Sequence, residues 1–333
     1  MTVLVTGGAG YVGTHAVRAL SVAGRDVVIL DSMERRAPEI VEDFPLLVGD
    51  IRDEFVVQRA IEDHGVTAVV HFAGYKNARE SVGRPDLYFD NNVGGTHAVL
   101  KAMRACGVTT LVFSSSCSVY GAPINSPVDE AQDLVPVSPY GASKLMCEQM
   151  CRWYSSAFDT RYMPLRYFNA AGASAEGRFG EDVKGTSNLI PLAIGAALDL
   201  LPPLTVFGSN LPTPDGTCVR DYIGVEDIAR AHVSALDYLE AGREPIPVNL
   251  GSGVGTSVKQ ILELVSRVSG IEVPCVFSSA RPGDPEAVFA DGRRANELLG
   301  WRPTQDLEQV VRSAWLWHSS RAEIDKARLG EGR

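Results

Sequence analysis

No stretch of this sequence reaches the ~18 consecutive apolar residues that a membrane-spanning helix needs, so a helical membrane protein is excluded. Basic residues are in the minority: 31 Lys and Arg stand against 41 Asp and Glu, a formal net charge of −10. No Lys/Arg run breaks that balance, so no nucleic-acid partner is expected, and an anionic ligand must be met by individual arginines. The six cysteines (Cys106, Cys117, Cys147, Cys151, Cys218 and Cys275) contain no Cys-x-x-Cys. Cys147 and Cys151, four apart on a helical stretch, read as small packing residues rather than ligands, and no metal is expected. No leader is read ahead of the strand-like Thr2-Val3-Leu4-Val5-Thr6, so the expected location is the cytoplasm. Internal repeats and low-complexity segments are also absent.

What remains has a globular balance, 45% hydrophobic and 22% charged over 333 residues, long enough for one large or two intimate domains. Val3-Leu4-Val5 suits a strand buried on both faces. It runs into Gly7-Gly8-Ala9-Gly10-Tyr11-Val12-Gly13, a helix to about Ala23, and a second strand, Asp26 to Leu30, ending at Asp31. This βαβ unit carries its glycines where a tight turn and a close approach to a pyrophosphate require them, with helix N–H groups facing the anion. Asp31, eighteen residues past Gly13, is placed to accept from an adenosine ribose and so favours NAD over NADP. Arg35 and Arg36 follow and are the alternative, as holders of a 2′-phosphate.

Alternation continues through Leu46–Val48, a helix to about His64, and a strand from Ala68 to Phe72. His71, inside that strand, reads as a satisfied core histidine. A long helix spans about 85–106, and the strand Thr110–Phe113 ends in Ser114-Ser115-Ser116, delivering hydroxyls to the edge where parallel sheets bind ligands. After Ser138 and Pro139, a cap and first-turn pair, comes a helix to Phe158 with Tyr140 and Lys144 one turn apart on one face. A phenol near pH ~10 is too weakly acidic for a neutral-pH base unless neighbouring positive charge lowers it, and Lys144 is the expected source. Alternation lapses at 170–186 and 209–217, and helix 225–241 with strand 248–250 reads as a return to the sheet. Helix 257–269, strand 273–277 and two helices to about Ser320 follow, with a frayed tail over 321–333.

With Thr6 to Gly13, Asp50-Ile51, the serine run and Tyr140-x-x-x-Lys144, the chain resembles the extended short-chain dehydrogenases/reductases acting on nucleotide sugars, and within them the UDP-glucose (UDP-galactose) 4-epimerases. His71-Phe72-Ala73-Gly74-Tyr75-Lys76, Asp90-Asn91-Asn92-Val93, Leu165-Arg166-Tyr167-Phe168-Asn169 and Asp215 to Ile223 carry the resemblance furthest. It implies an α/β fold: a Rossmann-type doubly wound parallel sheet over 1–168 with a return segment near 222–250. A smaller UDP-sugar-binding domain would take 169–221 and 251–320. It also implies NAD as cofactor, with Tyr140 as base and acid, Ser116 on the sugar O4, and Lys144 lowering the Tyr140 pKa. Gly7, Gly10, Tyr11, Val12, Gly13, Asp31, Ser32, Asp50, Ile51, Phe72, Ala73, Gly74, Lys76, Asn91, Ser114 and Tyr167 would complete the cofactor site with Tyr140 and Lys144. Phe168, Asn169, Asn188, Leu189, Phe207, Arg220, Arg281, Asp284 and Val288 would hold the UDP-sugar, with Lys76, Ser116 and Tyr140 bordering it.

The chemistry so implied is oxidation of a UDP-sugar at C4 to a transient 4-keto sugar, rotation, and reduction from the other face. Val288 falls where a tyrosine or a small residue separates relatives restricted to glucose and galactose from those accepting N-acetylhexosamines. The resemblance further implies a homodimer through a four-helix bundle of helices 85–106 and 140–158, with Leu100, Met103 and Met150 as contacts. Gly224 and Tyr75 depart from the pattern, where relatives often carry histidine and leucine. Two rivals stand beside this reading. A 4,6-dehydratase or decarboxylase would carry an acidic pair after the strand-end hydroxyl, where this chain has Cys117-Ser118. A catalytically idle NAD sensor would tend to lose the Tyr/Lys pair.

Overall fold

The computed structural model describes residues 1–34, 41–123, 125–183, 185–280 and 285–330. Arg35, Arg36, Arg281 and Asp284 lie outside the described residues. The first half alternates β1 (Thr2–Thr6), α1 (Tyr11–Val22), β2 (Asp26–Asp31), β3 (Leu46–Val48), α2 (Glu54–Asp63) and β4 (Val66–His71). Two short helices, α3 (Ala78–Gly83) and α4 (Pro85–Tyr88), lead through a π-helical turn at Phe89–Gly94 into α5 (Gly95–Ala105). Then come β5 (Thr110–Ser116), α6 (Pro139–Phe158), β6 (Arg161–Tyr167), β7 (Asn169–Ala171), α7 (Leu189–Ala197) and β8 (Leu204–Phe207). The chain closes with β9 (Val219–Gly224), α8 (Val225–Glu240), β10 (Val248–Leu250), β11 (Gly255–Ser257), α9 (Val258–Ser269), β12 (Cys275–Ser278), β13 (Ala287–Val288), α10 (Arg293–Leu299) and α11 (Leu307–Gly330).

Among the described residues, seven parallel strands make one sheet in the order β10-β6-β5-β4-β1-β2-β3. The order reverses direction between β1 and β4, and the crevice at that switch point is where such sheets take ligands. Val3, Leu4 and Val5 are fully buried, as a strand covered on both faces must be. One face packs on α1 and α8, through Val17, Leu20, Ile228 and Leu236. The other packs on α2, α5 and α6, through Val57, Val99, Cys147 and Cys151. The two cysteines are thus core residues. His71 is also buried, its ring nitrogens paired with Thr6 Oγ1 at 2.5 Å and Thr96 Oγ1 at 3.0 Å; burial pushes its pKa down to about 3.

Beside this sheet, β7, β9, β11 and β13 form a smaller one, and β8 pairs with β12. Helices α7, α9 and α11 close a separate core around Ile190, Ile194, Ile261, Val265 and Val311.

Three readings of the sequence change. The helix expected over 85–106 is interrupted by the π-helical turn, which re-aims Asn91 and Asn92. The tail expected to fray from 321 continues α11 to Gly330, since no proline or glycine intervenes and Ala, Glu, Lys, Arg and Leu favour helix. Leu100 and Met103, expected at a subunit contact, are 1% exposed and belong to the core under α5.

Candidate active site

The glycine turn is shaped by what its positions cannot hold. Gly7 has φ +69°, and a Cβ there would meet Ala73 N at 2.5 Å; a Cβ at Gly13 would fall 2.2 Å from the Gly7 carbonyl oxygen. These contacts leave room only for glycine where β1 turns into α1. Gly10 caps α1 with no side-chain acceptor, so first-turn N–H groups of the helix are available to an anion. The Asp31 carboxylate accepts from Ala9 N at 3.0 Å and Met33 N at 2.9 Å, which fixes it at the end of β2.

A cleft opens over this turn. Every residue expected to hold the cofactor lines it: the glycine turn, Asp31 and Ser32 at the adenosine end, Asp50 and Ile51 beside them, Phe72 to Gly74 and Lys76 after β4, then Asn91, Ser114, Tyr140, Lys144 and Tyr167. A bare backbone cradle, a carboxylate at the end of β2 and a long groove fit a dinucleotide.

At the inner end α6 delivers the phenol and the amine. Ser138 Oγ accepts from Gly141 N at 3.2 Å and Pro139 occupies the first turn, so the helix begins at a fixed place. Ser116 lies beside the Tyr140 phenol, and its own Oγ donates to Ser118 Oγ at 3.1 Å. Lys144 Nζ donates to the Ser114 carbonyl at 2.7 Å, and Tyr167 OH pairs with Ser114 Oγ at 2.6 Å. Burial pushes the Lys144 pKa down to about 8. Burial likewise pushes the Tyr140 phenol well above its ordinary value, with the neighbouring Ser116 acting the other way. Burial is thus the leading influence on the phenol, and the Lys144 ammonium, expected to lower it, is hydrogen-bonded to the Ser114 carbonyl.

Residues 3–251 match the family model described as the NAD dependent epimerase/dehydratase family. The chain belongs to that family. A UDP-glucose 4-epimerase of Azospirillum brasilense is 45% identical over 320 residues, 96% of this chain and 92% of the relative. The solved UDP-glucose-4-epimerase of Stenotrophomonas maltophila, with bound NAD and formylated UDP-arabinopyranose, superposes with a TM-score of 0.94 at 40% identity, covering 97% of this chain and 99% of that one. The Bifidobacterium longum UDP-glucose 4-epimerase, in complex with NAD+ and UDP, gives 0.91 at 36% identity, with 96% and 98% covered.

In this member of the epimerase/dehydratase family, the expected sugar-nucleotide residues fall into separate groups. Arg220 and Val288 are register partners on β9 and β13, and Asn169 on β7 donates to the Asp221 carbonyl at 2.8 Å. Val288 is 7% exposed and packs with Phe168, Val119 and Tyr120. Arg220 Nη1 donates to the Val219 carbonyl at 2.8 Å. Asn188, which caps α7 ahead of Leu189, donates to both Glu181 oxygens at 3.0 and 2.8 Å. Phe207 ends β8, in the two-stranded sheet shared with β12, whereas Arg220 lies in the sheet of β7, β9, β11 and β13.

Sequence reasoning passed over two features of the cleft. Glu181, Asp182, Gly185 and Thr186 form part of its wall, and Lys76 Nζ donates to Glu181 Oε1 at 2.5 Å. Asn92 clasps the Tyr75 backbone through Tyr75 N (2.8 Å) and Tyr75 O (3.0 Å), and reaches Ser143 Oγ at 3.1 Å. The Asn91-Asn92 pair signalled the second; nothing local signalled the first, because its partners are 105 residues apart.

Proposed function

We propose that this chain is an NAD-dependent 4-epimerase interconverting UDP-glucose and UDP-galactose. The observation that carries the reading is the Tyr140 phenol in the wall of a cleft that fits a dinucleotide, with Ser116 beside it and Lys144 one turn along the same helix. NAD bound over the glycine turn supplies the acceptor, and then the donor, of the C4 hydride, together with positive charge beside the phenol. Tyr140 takes the O4 proton as the alcohol is oxidised and returns it when the 4-keto sugar is reduced on its other face. Ser116 holds O4, and Lys144 contributes positive charge and a donor toward the nicotinamide ribose. A buried phenol with a raised pKa gives up its proton only when such charge is near, which couples base strength to cofactor occupancy.

The larger sheet with its return segment, 1–168 and about 222–250, serves as the cofactor domain, and 169–221 with 251–320 as the sugar-nucleotide domain. Arg220, Asn169, Phe168, Asn188, Leu189 and Phe207 anchor UDP from the described part, with Arg281 and Asp284 completing the set. The pyrophosphate on an acidic protein is met by arginine donors. Anchoring the UDP end leaves the sugar free to turn between the two half-reactions.

Against dehydration stands Cys117, whose thiol burial pushes up to about 12; it offers no acid where a dehydratase needs one. Val288 leaves room for a 2-acetamido group, so UDP-N-acetylglucosamine and UDP-N-acetylgalactosamine are further substrates. The protein acts in the cytoplasm as a homodimer. Its contact is the α5/α6 face, where Met146, Met150 and Trp153 follow an i, i+4, i+7 stripe and Trp153 is 70% exposed. Among the described residues, no helix is long and apolar enough to cross a membrane.

The test is incubation with UDP-galactose in the absence of any added reductant. UDP-glucose should accumulate to an equilibrium mixture; a 4-keto-6-deoxy product, or no product from NAD-loaded protein, would overturn the reading.

A further inference from the structure

The serine run leaves one hydroxyl without a role. Alternation along β5 sends Ser114 and Ser116 to one side and Ser115 to the other, where Ser115 Oγ donates to Glu148 Oε1 at 2.5 Å. Glu148 lies four residues beyond Lys144 and eight beyond Tyr140, on the same face of α6. Arg166, the register partner of Ser115 on β6, grips that carboxylate twice, Nε to Oε1 at 3.0 Å and Nη2 to Oε2 at 2.6 Å. Its Nη1 donates to the Tyr120 hydroxyl at 3.0 Å, and Tyr120 donates to Asn249 Oδ1 on β10 at 2.7 Å. The Glu148 and Arg166 side chains are 7% and 3% exposed.

These bonds tie the helix that carries Tyr140 and Lys144 to the strand that carries Ser114 and Ser116, and to β6, where Tyr167 follows Arg166. A buried ion pair contributes no more stability, as a rule, than a matched apolar pair. Its place directly behind a proton-transfer site therefore asks for more than a packing role. We infer that Ser115, Glu148 and Arg166 form a positioning unit that sets the Tyr140–Ser116 and Lys144–Ser114 contacts, so that turnover depends on residues touching neither substrate nor cofactor. The inference rests on the epimerase reading above.

The unit also bears on charge. The ionisable groups facing Lys144 are Cys147 and Glu148 on its own helix and His71 from β4, with the Ser114 carbonyl on β5 accepting its hydrogen bond. Glu148 favours the ammonium form. Removing its charge lowers the proton affinity of Lys144, so the alkaline limb of the kcat profile moves to lower pH.

Ser115→Ala cuts one bond and leaves the ion pair whole. Turnover should fall roughly 5- to 10-fold, since small misplacements at a reacting centre are costly, while KM stays within about twofold and bound NAD remains at the wild-type level. Glu148→Gln should lower kcat and shift the alkaline limb downward. If it does not fold, Glu148→Met with Arg166→Met replaces the pair by a matched apolar one. That double variant should keep NAD content and UDP affinity, yet lose at least about 10-fold in kcat with the same shift of the limb. Wild-type kcat and an unshifted profile in Ser115→Ala or in the double variant would overturn the inference. Wild-type protein assayed alongside separates the two readings, because failure of epimerisation itself appears there first.

Discussion

In the proposed reaction Tyr140 carries the proton transfer. Burial holds its proton on, and Ser116 acts against that, so the proposed proton transfer calls for positive charge brought near the phenol. Tyr140→Phe keeps the ring and removes the ionisable oxygen, so kcat should fall at least ~100-fold, the lower range for acid–base catalysis. Steady-state assays giving turnover within threefold of wild type would remove Tyr140 from its role. Val288 makes a second prediction at this scale. Val288 shares a buried cluster with Phe168 and Tyr120, so that packing has little room for a ring, which on the proposed reading takes up space beside the sugar. Val288→Tyr should abolish conversion of UDP-N-acetylglucosamine and spare that of UDP-galactose; equal acetamido activity in both forms, or none in wild type, would show that Val288 is not the gate. Residues of this kind are legible in the sequence when their spacing is local, as Tyr140 and Lys144 are. Glu181 was not legible, because the lysine it meets is 105 positions away and an isolated Glu-Asp pair carries no pattern.

At the level of elements, the β1–α1 turn and the start of α6 were readable because glycine, serine and proline act on the backbone where they stand. Gly13 is the sharpest case. Its missing Cβ would sit 2.2 Å from the Gly7 carbonyl oxygen, so Gly13→Ala has to displace the turn itself rather than a flexible side chain. Bound NAD, measured by absorbance after denaturation, should drop severalfold, with the melting temperature falling as for an overpacked site of about 1–3 kcal/mol. Wild-type NAD content in a folded variant would contradict the cradle. The π-helical turn at Phe89–Gly94 was not readable. One extra residue in a helical turn leaves the apolar spacing on either side intact, and only the contacts Asn92 makes to Tyr75 and Ser143 show why it is there. The end of α11 was misjudged for the opposite reason, its charge pattern suggesting solvent where its residues simply favour helix.

For the whole molecule, burial sets the response to pH. His71 is pushed down to about 3, and His232 and His318 to about 4, each by desolvation. The unfolded chain binds protons at these rings near pH ~6.5 and the folded chain does not, so stability falls as pH drops from about 6.5 toward 4. His232→Phe, at a ring packed on Phe72 and Tyr167, should flatten the melting temperature against pH over that window; an unchanged slope would remove His232 from the account. Assembly is the second global property. Trp153→Glu places charge on the exposed α6 stripe and should convert a dimer to monomer by light scattering at micromolar concentration, whereas a monomeric wild type would dismiss the interface.

In the proposed reaction hydrogen leaves C4 and returns to C4 within one site, with only the O4 proton passing through Tyr140. UDP-galactose carrying deuterium at C4, turned over in ordinary water, tests it most directly by mass spectrometry and proton NMR of the product. UDP-glucose with the deuterium retained at C4 is expected. Product that has lost its label to solvent would contradict it.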